Sequence, residues 1–320
     1  MKTFSKRIIT AVLTLALVAM LCLPVLAAPQ TATVSVNGTH TFALYQIFTG
    51  TYSGGKLVSP QWGQNGTGTG SAEAAAEELV GKDAKEAAKY LNAGSTPVAT
   101  VSAGNPATVQ TGYYIAKDVT TLEKGEAYSD IVVKVVGEDV TINPKNNSAP
   151  TFNKKVYDVN DTTEDALGNE MVKYDESGWQ DSADFDIGDS VPMRLQGTVP
   201  TDIDKYAHYY YAFHDEMEQG LTFEKIENVY VNGVAVPAET WSHTAVGNKL
   251  DVVIKDLKAC NVNPGDKVEV YYTATLNEEA HTGNYGEVNE AYLEYSANPQ
   301  DTTGPEDEGY PKDTNKTNED

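Results

Sequence analysis

Cysteine is almost missing from this chain of 320 residues, which holds two, Cys22 and Cys260. Cys22 lies in an N-terminal leader, and the one cysteine left over cannot close an internal disulfide. Positive charge is also scarce: 23 Lys and Arg stand against 46 Asp and Glu, for a formal net charge of −23. That acidity argues against nucleic acid or an anionic membrane as a partner and suits a protein that stays soluble at high local density. The 5 histidines are scattered. No Ser-His-Asp, glycosidase or metal-ligand spacing with strand context accompanies them, so a hydrolytic enzyme is disfavoured and no cofactor or metal is expected.

What is present begins with the leader. Lys2, Lys6 and Arg7 form a basic start, residues 8–26 an apolar run, and Val25-Leu26-Ala27 a small-residue exit. This is the layout of a signal peptide spanning residues 1–27. Polar sequence follows at once, which disfavours a transmembrane anchor. Cleavage after Ala27 removes three basic residues and leaves a secreted chain, more acidic still, with no membrane span in the mature fragment. Its length suits two domains.

Residues 28–148 read as a first β domain. Residues 31–36 and 39–48 alternate in polarity around Asn37-Gly38 and predict a hairpin there. Gly54-Gly55 predicts a second turn. Residues 71–92 are rich in Ala, Glu and Lys, with Ser71, Glu73 and Glu77 marking a helix start, and predict one or two helices inserted in the β domain. Strands resume at 107–116, 130–136 and 139–143. Residues 144–150 form a polar linker bounded by prolines. A second β domain is expected over 149–299, with strands at 151–158, 190–199, 208–214, 228–236, 249–253, 267–276 and 286–295, and turn signals at Asn232-Gly233 and Pro264-Gly265. Such regular short strands indicate an antiparallel, immunoglobulin-like sandwich. Residues 300–320 are acidic with few apolar side chains and read as a linker or tail outside any core.

One strand carries an anomaly. In Thr151-Phe-Asn-Lys-Lys-Val-Tyr-Asp, alternation puts Phe152, Lys154 and Val156 on one face. An amine is thereby placed between two apolar side chains, where its charge is costly. Alternation also puts Asp215 on the face of Tyr211 and Phe213, and Asn289 on that of Ala291 and Leu293. A buried amine, acid and amide on the first, a middle and the last strand suggest a reaction. Burial lowers the pKa of the lysine and raises that of the acid. A neutral amine attacks the amide carbon, the acid shuttles protons, and loss of ammonia leaves an amide bond between Lys154 and Asn289. Two plainer readings compete: Lys154 extends to the rim and forms an ion pair with Asp215, and Asn289 caps a turn. Lys155 and Glu216 are off-register rivals, and Glu218 is a weaker candidate acid. The first domain shows no convincing inward Lys/Asn pair.

Several stretches carry a family resemblance. KKVYDVND, DIGDSVPMRLQGTVP, YAFHDEMEQGLTF, VYVNG, GDKVEVYYTATLNEEA and GEVNEAYLEYSANP resemble the isopeptide-forming domain of sortase-assembled Gram-positive pilus subunits. ALYQIFTGTYSGGKL, QWG and GYYIAKD resemble the N-terminal domain of the same backbone pilins. The resemblance implies a mainly β chain of two tandem immunoglobulin-like, CnaB-like sandwiches, the first with a small helical insertion. It implies Lys154 and Asn289 as the cross-link, with an Asp or Glu as acid; alternation and the His214-Asp215 pair select Asp215. It also implies identical subunits and sortase as partners and a cell-wall pilus as location. In Val140-Thr-Ile-Asn-Pro-Lys-Asn, Lys145 matches the lysine that sortase acylates, with Asn143 where the family motif carries tyrosine. The family continues into a further β domain and an LPxTG-type sorting signal, so this chain is expected to be a shortened form. The competing function is an adhesin or minor pilin that holds a host surface ligand on its Tyr-rich strands and the loops around Trp62 and Trp179.

Overall fold

Alternating strands and glycine turns build most of the chain. The computed structural model describes residues 30–54, 56–144, 149–157, 178–281 and 286–320. The expected leader at 1–27 and the expected acceptor Lys145 lie outside the described residues.

The first domain stacks two sheets. β1 (Thr31–Val36) buries Ala32, Val34 and Val36, every second side chain. It pairs antiparallel with β5 (Ala107–Gln110) and parallel with β8 (Val140–Ile142). The facing sheet runs β3 (Lys56–Trp62), β2 (Phe42–Ser53), β6 (Gly112–Asp118), β7 (Ile131–Val135), with β4 (Ala99–Val101) on the start of β2. The hairpin expected at Asn37-Gly38 is therefore corrected: β1 and β2 lie in different sheets. Gly38, at φ +112°, turns the chain between layers, and Asn37 N–H donates to Ile142 O at 2.9 Å. Val34, Phe42 and Leu44 then meet in one core, which an in-sheet hairpin would not bring about. The second expected turn is a true hairpin, with Gly54 at φ +59° between β2 and β3.

The helical insertion is split in two. α1 (Ala72–Glu78) is capped by Ser71, whose side chain accepts from Ala74 N–H at 3.3 Å. Gly81 at φ +75° ends that run, and Asp83 starts α2 (Ala84–Ala88) by accepting from Glu86 N–H at 3.1 Å. Both helices bury alanines against Ile47, Phe48 and Ile115.

The second domain is a sandwich of larger sheets. One runs β10 (Trp179–Gln180), β9 (Phe152–Tyr157), β11 (Ser190–Thr198), β17 (Lys267–Leu276), β13 (Leu221–Val231), β14 (Val234–Ala235). The other runs β15 (Trp241–Val246), β16 (Lys249–Ile254), β12 (Tyr211–Met217), β18 (Asn289–Ser296), β19 (Thr314–Lys316). Asn232 and Gly233, at φ +48° and +77°, make the β13–β14 hairpin that their sequence predicts. The tail departs from expectation. β19 pairs with β18, Thr317 is buried, and Asp320 exchanges backbone hydrogen bonds with Ala291 at 2.9 and 3.1 Å. The open edge of β18 offers unpaired backbone groups, and the tail satisfies them despite its polar composition.

The two domains share a seam. Leu122 and Ala127 of the first pack against the core of the second. Tyr128 N–H donates to Ala297 O at 2.9 Å and Gly125 N–H to Lys316 O at 2.8 Å.

Candidate functional site

Three strands deliver the inward polar groups. β9 pairs with β11, Lys154 opposite Leu195, and its flanking Phe152 and Val156 pack on the core. β12 carries Tyr211, Phe213 and Asp215 inward, all buried. β18 pairs with β12, Asn289 opposite Met217 and Ala291 opposite Asp215. Lys154 and Asn289 thus belong to opposite sheets and meet across the sandwich.

The contacts are short. Lys154 Nζ lies 3.0 Å from Asp215 Oδ2, with side-chain exposures of 9% and 0%. The same Nζ donates to the backbone O of Asn289 at 2.9 Å. Two further side chains complete the cluster. Tyr272 OH donates to Asp215 Oδ2 at 2.8 Å, and Asn289 Nδ2 donates to the Tyr272 oxygen at 3.0 Å. Met193 Sδ accepts from Asn289 Nδ2 at 3.1 Å. Asp215 Oδ1 and Asn289 Oδ1 are buried without a hydrogen-bond partner.

Burial dominates the electrostatics. It pushes the Lys154 amine below its ordinary range, against the opposing pull of the Asp215 charge. It pushes the Asp215 carboxyl up, against Lys154 and Tyr272. A 3.0 Å contact fits an ion pair as well as a hydrogen bond between neutral partners. Both shifts run toward the neutral pair, because removing water disfavours two separate charges more than their attraction recovers. Burial also raises the Tyr272 phenol well above its usual range and keeps it protonated.

The rival residues lie apart. Lys155 points to the other face and pairs with Asp181. Glu216 is exposed and pairs with Lys249 at 3.1 Å. Glu218 is exposed and accepts from Val288 N–H at 2.9 Å. Lys145, the expected acceptor, is outside the described residues, two positions beyond Asn143. Trp179 is buried, and Trp62 packs on Phe48 and Tyr90, so neither ring stands free as a docking platform. Sequence reasoning missed Tyr272 and Met193. The one signal was alternation in β17, which turns Val270, Tyr272 and Ala274 inward together.

No protein-family model matches the chain, and no curated protein sequence does. Solved structures match it. The T6 backbone pilin of serotype M6 Streptococcus pyogenes, described as modular and three-domain, aligns with a TM-score of 0.55 at 20% identity, over 92% of this chain and 64% of that one. The major pilin SpaD of Corynebacterium diphtheriae aligns with a TM-score of 0.51 at 18% identity, over 91% of this chain and 65% of that one. The chain spans just under two thirds of the length of either. At these identities the likeness is one of fold, and the fold of this chain is that of a Gram-positive major pilin.

Proposed function

We propose that the chain is a structural subunit of a covalently polymerised cell-surface pilus, locked internally by an autocatalytic isopeptide bond between Lys154 and Asn289. The observation that carries this reading is the buried Lys154–Asp215–Asn289 cluster across the sandwich. The fold supports it. The Lys154 ammonium passes a proton to Asp215, the neutral amine attacks Cγ of Asn289, and the C–Nδ2 bond breaks. One amide forms, one ammonia leaves, and Asp215 is regenerated. The protein is its own substrate and turns over once, so it is not an enzyme in the ordinary sense. The reaction needs no cofactor.

Assembly is a separate step. Lys145, just ahead of β9, is the proposed acceptor through which sortase joins the next identical subunit, after export directed by residues 1–27. The competing reading is an adhesin that holds a host ligand on its Tyr-rich strands and the loops around Trp62 and Trp179; the two rings themselves add no free surface, Trp179 being buried and Trp62 packed on Phe48.

The mature chain should weigh about 17 Da less than its sequence, one lost ammonia, and Lys154→Ala should restore the full mass. In a pilus-forming host, Lys145→Ala should abolish the covalent ladder while leaving that mass deficit in place. Full-length polymers from Lys145→Ala would reject the assembly role and favour the adhesin.

A further inference from the structure

Lys154 and Asn289 sit on strands that share no ladder: β9 belongs to one sheet and β18 to the other. The hydrogen bonds within each sheet therefore leave the distance between the two residues unset, and the flexible lysine stem adds freedom of its own. Attack on an amide carbon needs the amine held about 3–3.5 Å away. That requires β9 to be fixed against β18 on the flank where the sandwich is open.

β9 is bonded to β11 on one side, while on the other β10 lies along Val156 and Tyr157, short of Lys154. The Lys154 N–H opens onto that flank and donates to Asp320 Oδ2 at 2.8 Å. Asp320 is also locked to β18: Ala291 N–H donates to Asp320 O at 3.1 Å, and Asp320 N–H to Ala291 O at 2.9 Å. One residue thus grips the bearer of the amine with its side chain and, with its backbone, the residue two positions from Asn289. The tail that carries it is itself held. Thr317 N–H donates to Leu293 O at 2.9 Å, Glu319 pairs with Lys124 of the first domain at 2.7 and 2.8 Å, and Asn315 Nδ2 donates to the backbone O of Glu123 and Glu126 at 2.7 and 2.8 Å. Within this frame Lys154 Nζ reaches the backbone O of Asn289 at 2.9 Å, on the residue whose Cγ it would attack.

We infer that Asp320 is a positioning residue for the cross-link, spacing β9 from β18 so that the Lys154 amine meets the Asn289 amide; the inference rests on the bond proposed above. Asp320 acts through its hydrogen bond and in spite of its charge. A negative group near Lys154 favours the protonated amine, the form that cannot attack. The two effects oppose one another, so they can be separated. Asparagine keeps an acceptor oxygen and drops the charge; alanine drops both.

The test follows the intact mass of the full chain over time after cell-free synthesis. Asp320→Ala should slow ammonia loss by about tenfold or more, since a misplacement of about 1 Å can cost about a hundredfold. Asp320→Asn should react at least as fast as the unmodified chain, with its pH–rate profile displaced to lower pH, because the amine then gives up its proton more readily. In a Lys154→Ala background, where no bond forms, adding Asp320→Ala should preserve a cooperative melt, which separates positioning from folding. Ammonia loss from Asp320→Ala at the unmodified rate overturns the inference, as does equal slowing by Asp320→Asn or loss of the cooperative melt. An unmodified chain that never loses ammonia overturns the bond and the positioning role together; failure of the positioning role alone leaves the unmodified chain cross-linked.

Discussion

Lys154 is legible in the sequence because its neighbours on one strand face, Phe152 and Val156, are apolar. Asp215 and Asn289 are legible by the same alternation. Tyr272 is not: an inward tyrosine is ordinary core, and its hydrogen bonds depend on partners from β12 and β18 that no local pattern foretells. Asp130 in the first domain is another residue whose chemistry is set by the fold. Burial raises its pKa to about 6, although its carboxylate accepts from Asp118 N–H at 2.9 Å. Between the ordinary carboxylate range and about 6, the folded state holds a proton that the unfolded chain has released. Stability from this group is therefore full at lower pH and lost as pH rises through about 6. Asp130→Asn, which keeps an acceptor oxygen, should flatten the fall in melting temperature between about pH 4 and 7. An unchanged slope would assign the pH dependence to other groups.

Elements were legible where polarity alternates and turns carry glycine, as in β11, β16, β17 and the Asn232-Gly233 hairpin. They were not legible where pairing is decided at a distance. Adjacency in sequence suggests β2 as the partner of β1, yet its partners are β5 and β8. β15 exposes most of its side chains and shows no inward pattern. β19 has a polar sequence, and only the free edge of β18 makes it a strand. Its return also brings Asp320 Oδ2 to the Lys154 backbone N–H at 2.8 Å, so the tail ties β9 to β18. Deleting residues 314–320 should raise amide exchange at Ala291 and Leu293 by tenfold or more, since their N–H partners are Asp320 and Thr317. Undiminished protection of both amides would show that the tail adds nothing to the edge.

At the scale of the whole molecule, the proposed bond changes how load is carried. Lys154 and Asn289 are separated by 135 positions. Closing that loop is worth about 4–5 kcal/mol in unfolded-chain entropy, so Lys154→Ala should lose roughly that much stability. It would join strands at the two ends of the second domain and in opposite sheets. Tension entering near β9 and leaving after β18 would then pass through a covalent link and bypass the hydrogen-bonded ladders. With Cys260 free among the described residues, the proposed bond would give the domain a cross-link that reductants do not cleave. The measurement that bears most directly on the account is peptide mass spectrometry of the digested mature chain. The account predicts one branched species in which the Lys154 peptide is joined to the Asn289 peptide with one ammonia lost. Recovery of both as separate linear peptides, with the Asn289 amide intact, would contradict it.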